Sequence, residues 1–333
     1  MKKTSINIIR CVCFFILLLG IFIYLSKVFT TSKVEEYPVR NGFFQNIDAE
    51  NDNTIDNLFI GDSSVMHSII PVQLWKEQKM TSYVMSYSVM KPQEAYFDLK
   101  KVFKKQSPKY VFIESQFMVT YAKDRYEYLT DKTQNLCDYG DDQITGEISY
   151  YVPVMKYKSS WLNTRLSDLK LSHPSVINSI YKGYKYAPEV QAFTGKHGNF
   201  NGNKIVYKNN GYEYFKKIYN MCKEHNCEVI LMNMPQGTGW NRKMHNFVQK
   251  LADEFNVKYI DFDVDLDKLI PTFSWNTDTK DGGGHLNYSG ATKLTKSIEK
   301  FMINELHIQQ TKLSQKDVNK WNKDTKDFYN SIK

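Results

Sequence analysis

Short apolar runs alternate with longer stripes of helical spacing along most of this 333-residue chain. Four short runs are typical of strands buried on both faces, namely Leu58 to Ile60, Tyr110 to Ile113, Val229 to Met232 and Val257 to Phe262. Three stripes have the spacing of amphipathic helices: Phe215 to Cys222, Met244 to Phe255 and Ala291 to Met302. This alternation predicts an α/β protein whose parallel sheet is covered on both sides.

The most apolar stretch lies near the N-terminus. Cys11 to Leu25 carries no charge, and extension to residues 8–29 gives roughly the 20 residues that a membrane helix needs. Lys2, Lys3 and Arg10 precede this stretch, so the positive-inside rule places the N-terminus in the cytoplasm. No small-x-small cleavage site follows, which favours an uncleaved anchor over a cleaved signal peptide. We therefore expect a single-pass cell-membrane protein with an extracellular main domain.

The chain divides by composition into four parts. Residues 1–29 are the cytoplasmic end and anchor, 30–54 a linker, 55–306 the α/β domain, and 307–333 a polar tail expected to be a solvated helix or a frayed end. Within the domain, residues 120–203 are rich in Tyr and Lys and break the alternation. We expect an insertion there, either an irregular cap or a binding surface for an anionic glycan or a partner protein.

Charge and cysteine content exclude several classes of protein. The 44 Lys and Arg against 36 Asp and Glu give a net charge of +8, too mild to indicate a nucleic-acid partner. The five cysteines show no metal-ligand spacing, so we expect no metal and no cofactor. Cys222 and Cys227 flank the end of a predicted helix and could pair outside the cell, whereas Cys137 has no nearby partner in sequence. We interpret all three as structural or idle.

A candidate nucleophile follows the first predicted strand. Gly61, Asp62 and Ser63 stand where that strand ends and a helix begins, so the hydroxyl is exposed and the helix N-terminus stabilises developing negative charge. The same triplet is also common in turns and helix caps. His67, four residues later, is expected to be exposed on the first helical turn, with contact to a bound acyl group as the alternative.

A glycine-rich loop near the other end carries a candidate acid and base. Asp281 and His285 share this loop, which leads into the stripe that begins at Ala291. An imidazole can accept a serine proton while a carboxylate fixes its tautomer and stabilises the imidazolium. A solvent loop with a helix cap would explain the glycines but not the Asp and His together. Asp278 is the alternative acid.

These two blocks resemble those of the SGNH, or GDSL-type, hydrolase and acyltransferase superfamily over roughly residues 55–305. The resemblance implies a flavodoxin-like three-layer α/β/α fold. It also implies that Ser63 is the nucleophile, His285 the general base and acid, and Asp281 the group that orients His285. The acid lies four residues before the histidine here, whereas the family has three.

The middle blocks depart further from the family pattern. The second block, Ser82 to Met90, has no glycine, and the third, Val111 to Phe117, has no asparagine. An oxyanion hole would then consist of the backbone N–H groups of Ser63 and Ser88 and the side-chain amide of Gln116.

The architecture as a whole resembles one branch of that superfamily, the membrane-anchored proteins that act beside membrane-bound O-acyltransferases on bacterial cell-envelope polymers. That branch includes DltD-like proteins and O-acetylation subunits. The resemblance implies a serine acyltransferase or esterase that adds or removes an acetyl or D-alanyl ester on an anionic or glycan polymer such as teichoic acid. It also implies a membrane-bound O-acyltransferase partner. The missing glycine and asparagine motivate an alternative, a non-catalytic accessory subunit that binds the acceptor polymer.

Overall fold

The computed structural model describes residues 3–32, 47, 49–120, 148, 179–198 and 210–333. The chain forms two compact units, residues 1–42 with 125–177 and residues 43–124 with 178–333. In the first unit, helix α1 spans Lys3–Ser32 and contains Ile6–Ser26, a stretch of mean hydropathy 2.7 that is long and apolar enough to cross a membrane. Signal sequences share this length and composition.

The second unit is built on a five-stranded parallel sheet. Its strands are β1 Asn57–Gly61, β2 Ser82–Ser86, β3 Tyr110–Glu114, β4 Glu228–Asn233 and β5 Lys258–Asp261. The order is β2-β1-β3-β4-β5, which is the flavodoxin-like order. The predicted α/β fold with a parallel sheet is confirmed. Strand β2 was not predicted, because its sequence SYVMS mixes polar and apolar residues.

Helices cover both faces of the sheet. In chain order they are α2 Ser63–Met66, α3 Pro71–Gln78, α4 Pro92–Val102, α5 Gln116–Thr120, α6 Asn210–Glu224, α7 Arg242–Phe255, α8 Leu266–Leu269, α9 Tyr288–Asn304 and α10 Gln315–Ser331, with a 3₁₀ turn at Ser179–Tyr181. Helix α3 packs against α9 and α10, whereas α4 packs against α6, and the Phe255 ring of α7 contacts Tyr212 and Phe215 of α6. The three predicted helical stripes lie in α6, α7 and α9.

The core fills the space between the sheet and these helices. Leu58, Phe59 and Ile60 of β1 are all fully buried, and the Phe59 ring stacks on Phe112 of β3 with ring centroids 4.5 Å apart. Side chains on both faces of a strand are buried only when both faces are covered. Each such side chain contributes about 1.5–3 kcal/mol on burial. The core therefore holds the carboxyl ends of the strands, where the candidate site lies, on a rigid base.

Of the two alternatives expected for the C-terminal tail, the helix forms as α10, but one face of it is packed against the domain and not solvated. Trp321 and Phe328 of α10 are buried, and the Trp321 ring lies 5.4 Å from that of Trp75 on α3. The apolar stripe on this face of α10 is short and interrupted by lysines, so the sequence pattern did not reveal it.

A buried ion network joins three separate chain segments. Lys182 Nζ lies 2.6 Å from Glu50 Oε1 and 2.5 Å from Asp324 Oδ2, and Lys320 also pairs with both acids. Glu50 belongs to the expected linker and Asp324 to α10, so both segments are fastened to the domain. Most of the expected insertion, together with Cys137, lies outside the described residues.

Candidate active site

Three candidate residues occupy equivalent positions at one edge of the sheet. Ser63, Ser88 and Gln116 each lie two residues past the end of their strand, in β1, β2 and β3 respectively. Strands β1 and β2 pair in register up to Gly61 and Ser86, and β3 reaches the same level. Adjacent strands are about 4.8 Å apart. The sheet therefore brings together three residues that the sequence places up to 53 positions apart.

A tight turn from β1 into α2 presents Ser63. Asp62 caps this short helix, its Oδ1 accepting a hydrogen bond of 2.9 Å from Ser64 N. A side chain at Gly61 would collide with Glu114 and Val65, since a Cβ built there lies 2.6 Å and 2.3 Å from their side-chain atoms. Packing thus requires glycine at position 61. We call Asp62 and Ser63, which follow it, the nucleophile turn, because they carry the candidate nucleophile. Ser63 itself stays partly exposed, as attack on a substrate requires.

A short hairpin-like loop presents Asp281 and His285. Thr279 and Leu286 form an isolated antiparallel bridge at its base, and Asn287 caps α9 through a 3.1 Å hydrogen bond from Gly290 N. Gly283, at the tip, has φ +99°, a left-handed conformation that side chains disfavour. The acid and the histidine therefore project from one rigid loop that leads directly into a long helix.

The loop brings the imidazole between the serine and the carboxylate. His285 Nε2 lies 2.8 Å from Ser63 Oγ, and His285 Nδ1 lies 2.5 Å from Asp281 Oδ2. Asp281 Oδ1 also accepts a 2.8 Å hydrogen bond from the backbone N–H of His285. With Nδ1 donating to the carboxylate, Nε2 carries the lone pair that faces the serine hydroxyl. The serine, histidine and aspartate named from the sequence thus form one hydrogen-bonded chain.

Electrostatics keep Asp281 ionised. Partial burial raises the pKa of its carboxyl, but the side-chain and backbone hydrogen bonds from His285 outweigh this effect and the pKa lies below its ordinary value. The positive charges of His285 and Lys280 act in the same direction. The carboxylate is therefore available to stabilise an imidazolium.

Asp278, the alternative acid, points away from the histidine. Its carboxylate is buried and accepts hydrogen bonds from Ser274 N, Ser289 Oγ and Lys293 Nζ at 2.7–2.8 Å. These partners tie the start of α9 to the preceding loop. Asp281, and not Asp278, therefore contacts His285. Asp278 instead stabilises the base of the loop through its buried hydrogen bonds.

The two remaining oxyanion candidates have different environments. Ser88 is exposed, and Val89 beside it has φ +59°, a left-handed conformation that is rare for a β-branched residue. Although this block has no glycine, its loop thus adopts at Val89 a backbone conformation that glycine would adopt without strain. Gln116 is buried beneath the edge, with Nε2 packed against Gly239 and with Oε1 unpaired among the described residues.

His67 is buried against His285, so the prediction that it would be exposed is wrong. It is 3% exposed, its Nδ1 donates to Lys185 O at 3.0 Å, and its ring centroid lies 5.1 Å from that of His285. Sequence spacing placed this ring on a helical turn, but α2 ends at Met66 and the chain then turns inward. No local pattern signals that the distant segment around Lys185 closes over it.

A segment that sequence analysis left within the insertion crosses the site. We call residues 185–193 the strap. Lys185 N donates to Met66 O at 2.7 Å, Tyr288 N donates to Ala187 O at 2.7 Å, and Gln191 N donates to Thr279 O at 2.9 Å. The strap therefore connects the nucleophile turn to both ends of the Asp281–His285 loop. Its last residue, Phe193, packs directly against Gly283.

No group of three or more His, Cys, Asp or Glu side chains among the described residues is placed to hold a metal ion. Cys222 and Cys227 are buried free thiols in the second unit.

No protein-family model matches the chain, and no curated protein matches it. Solved structures with a similar fold include an esterase from Pseudoalteromonas sp. (9% identity, 76% of this chain and 100% of that one, TM-score 0.38). Others are an acetylxylan esterase from Geobacillus stearothermophilus (12%, 79% and 99%, 0.37) and a lipase/acylhydrolase from Enterococcus faecalis (9%, 78% and 100%, 0.37).

Proposed function

We propose that this protein is a serine esterase or acyltransferase of the SGNH type that works through an acyl-Ser63 intermediate. The observation that carries the proposal is the unbroken hydrogen-bonded chain from Ser63 Oγ through His285 to Asp281. A serine hydroxyl is a weak nucleophile unless a neighbouring base takes its proton. Here the base is within 2.8 Å and is itself oriented by an ionised acid.

In the acylation step, Ser63 Oγ attacks the acyl carbonyl while its proton moves to His285 Nε2. Asp281 stabilises the imidazolium, and the developing oxyanion is met by the backbone N–H groups of Ser63 and Ser88 and by the Gln116 amide. His285 then gives the proton to the leaving oxygen. In the second step, water or an acceptor hydroxyl loses its proton to His285 and attacks the acyl carbonyl. The bond to Ser63 Oγ then breaks, and His285 returns the proton to that oxygen. Hydrolysis and transfer differ only in this last nucleophile.

We further propose that the substrate is a cell-envelope polymer and that α1 anchors the enzyme at the membrane, with the second unit outside. The length and hydropathy of Ile6–Ser26, and the Lys2, Lys3 and Arg10 before or within its start, support this orientation. An anionic acceptor is favoured because Lys185 and Lys280 border the site. The positive charges of Lys280 and Lys185 also lower the pKa of His67, so both act at the site.

Covalent labelling tests the mechanism. The full-length protein in detergent is incubated with an aryl acetate and with a serine-directed phosphonate, and the modified residue is located by mass spectrometry. We expect an adduct on Ser63 and ester turnover that falls by at least about 10³-fold in Ser63→Ala. Ser64→Ala is the matched control, since its buried hydroxyl neighbours the nucleophile but does not contact His285.

The accessory-subunit function is the second candidate. It is favoured by one observation, the absence from Ser82–Met90 and Val111–Phe117 of the glycine and the asparagine that the SGNH pattern has there. An unlabelled Ser63 in folded protein, together with normal polymer acylation in a Ser63→Ala strain, would replace the enzymatic proposal with this one.

A further inference from the structure

The buried ring beside the triad has no part in the proton transfers of the mechanism. His67 follows helix α2, which begins with Ser63, and its ring meets that of His285 edge to face, at 5.1 Å and 61° between the planes. Its Nδ1 is committed to the backbone oxygen of Lys185. It therefore touches the general base from the nucleophile's side of the site.

His67 is neutral near pH 7. Burial, followed by the positive charges of Lys280, His285 and Lys185, lowers its pKa to about 3, although the hydrogen bond to Lys185 O opposes this. A neutral ring does not repel the imidazolium that His285 becomes during catalysis. A charged group in the same place would.

The triad itself has little packing to hold it. The His285 side chain is 27% exposed and that of Asp281 is 37% exposed, so solvent borders both. The two hydrogen-bond partners of the imidazole, Ser63 Oγ and the Asp281 carboxylate, are themselves partly exposed, so they restrain the ring less than buried neighbours would. Among the described residues, His67 is the aromatic ring that contacts His285. A shift of about 1 Å in a catalytic group can lower a rate by about 100-fold.

We propose that His67 is a positioning residue that fixes the plane of the His285 ring and so keeps Nε2 aligned with Ser63 Oγ. This inference rests on the proposed acyl-serine mechanism. The hydrogen bond from His67 to Lys185 O and the one from Lys185 N to Met66 O hold one residue of the strap from two sides. His67 is thereby fixed by the fold, and its ring serves as a rigid support for the more exposed base.

The test compares three full-length variants in detergent. Active sites are first counted by phosphonate titration, and turnover of an aryl acetate is then measured per titrated site. We expect His67→Ala to lower kcat by about 10- to 100-fold with little change in KM, and His67→Phe to recover most of the loss because a neutral ring is retained. His245→Ala is the control, since this histidine pairs with Asp261 and packs on Tyr259. We expect it to keep wild-type kcat.

A second readout requires no turnover. In protein labelled with ¹⁵N-histidine, the Nδ1–H proton shared by His285 and Asp281 gives a downfield signal, which we expect to broaden or vanish in His67→Ala and to persist in His67→Phe. Wild-type kcat together with an unchanged signal in His67→Ala would overturn the inference, as would equal impairment of the Phe and Ala variants. If wild-type Ser63 does not react, the proposed function fails and the histidine signal alone decides the positioning role.

Discussion

At the residue scale, two aspartates three positions apart have opposite environments. Asp281 is partly exposed and bonded to His285, whereas Asp278 is buried among Ser274, Ser289 and Lys293. The sequence alone left both as candidate acids, because either could reach a histidine from the same loop. Only the direction in which each side chain leaves the backbone separates them, and the contacts around α9 set that direction.

Replacement of these two acids should have different consequences. Asp281→Asn should lower kcat by about 10²- to 10⁴-fold, because the amide cannot stabilise the imidazolium or fix its tautomer, while the free energy of unfolding changes little. Asp278→Asn should lower the free energy of unfolding by about 2 kcal/mol, because the buried partners lose a charged acceptor, while kcat per titrated site is kept. Aryl acetate kinetics and urea denaturation measure the two effects. If kcat per site fell in Asp278→Asn but not in Asp281→Asn, Asp278 would be the acid that acts on His285 and Asp281 would not.

At the element scale, the strap turns two separate loops into one site. The turn that carries Ser63 follows β1, and the Asp281–His285 loop precedes α9. The two are joined through the strap, where Lys185 and Gln191 donate backbone hydrogen bonds and Ala187 O accepts one. The strap could not be predicted from the sequence, because residues 185–193 have neither strand alternation nor a helical stripe. Its pairing partners are about 90 to 120 residues away in both directions.

A pair of neighbouring glycines tests the contact between the strap and the loop. Gly282 and Gly283 both have positive φ, but a Cβ at Gly283 would lie 2.7 Å from the Phe193 ring, whereas one at Gly282 would lie 3.4 Å from its nearest neighbour, Gln191 Nε2. Gly283→Ala should therefore lower the rate of Ser63 labelling by about 10-fold or more. Gly282→Ala also places a side chain at positive φ, +73° against +99° at Gly283, but without the clash, and serves as the control.

Removal of the opposing ring should relieve the clash. We expect Phe193→Ala to restore much of the labelling rate in the Gly283→Ala background, as a double-mutant cycle would measure. Equal labelling rates in the two single glycine variants would show that strain alone, and not contact with the strap, governs the loop.

At the scale of the whole molecule, a buried ion network joins distant segments of the second unit. The ion pairs of Lys182 with Glu50 and Asp324 connect the segment around Glu50 and helix α10 to the same domain. Burial of such charges is tolerated only because they are paired. Within the described residues of the second unit, helix α10 is thus held to the domain by buried ion pairs.

The proposed orientation can be measured on intact cells. Val190 on the strap is 62% exposed, and a Val190→Cys chain that also carries Cys11→Ser, Cys13→Ser and Cys137→Ser should react with a membrane-impermeant maleimide before lysis. Cys222 and Cys227 are buried and should remain silent. Thr4→Cys, on the other side of the anchor, should react only after lysis. The opposite pattern would place the active-site edge in the cytoplasm.

The sequence by itself determined the layered α/β fold, because two-face apolar runs and helical stripes are local patterns that burial on both sides of a sheet imposes. It also named Ser63, Asp281 and His285, since a serine after a strand and an acid and histidine on one loop are short-range signals. Tertiary structure alone decided that β2 joins the sheet, that Asp281 faces the histidine, and that His67 and the strap close the site. Those features depend on contacts between distant segments, and no local periodicity encodes them.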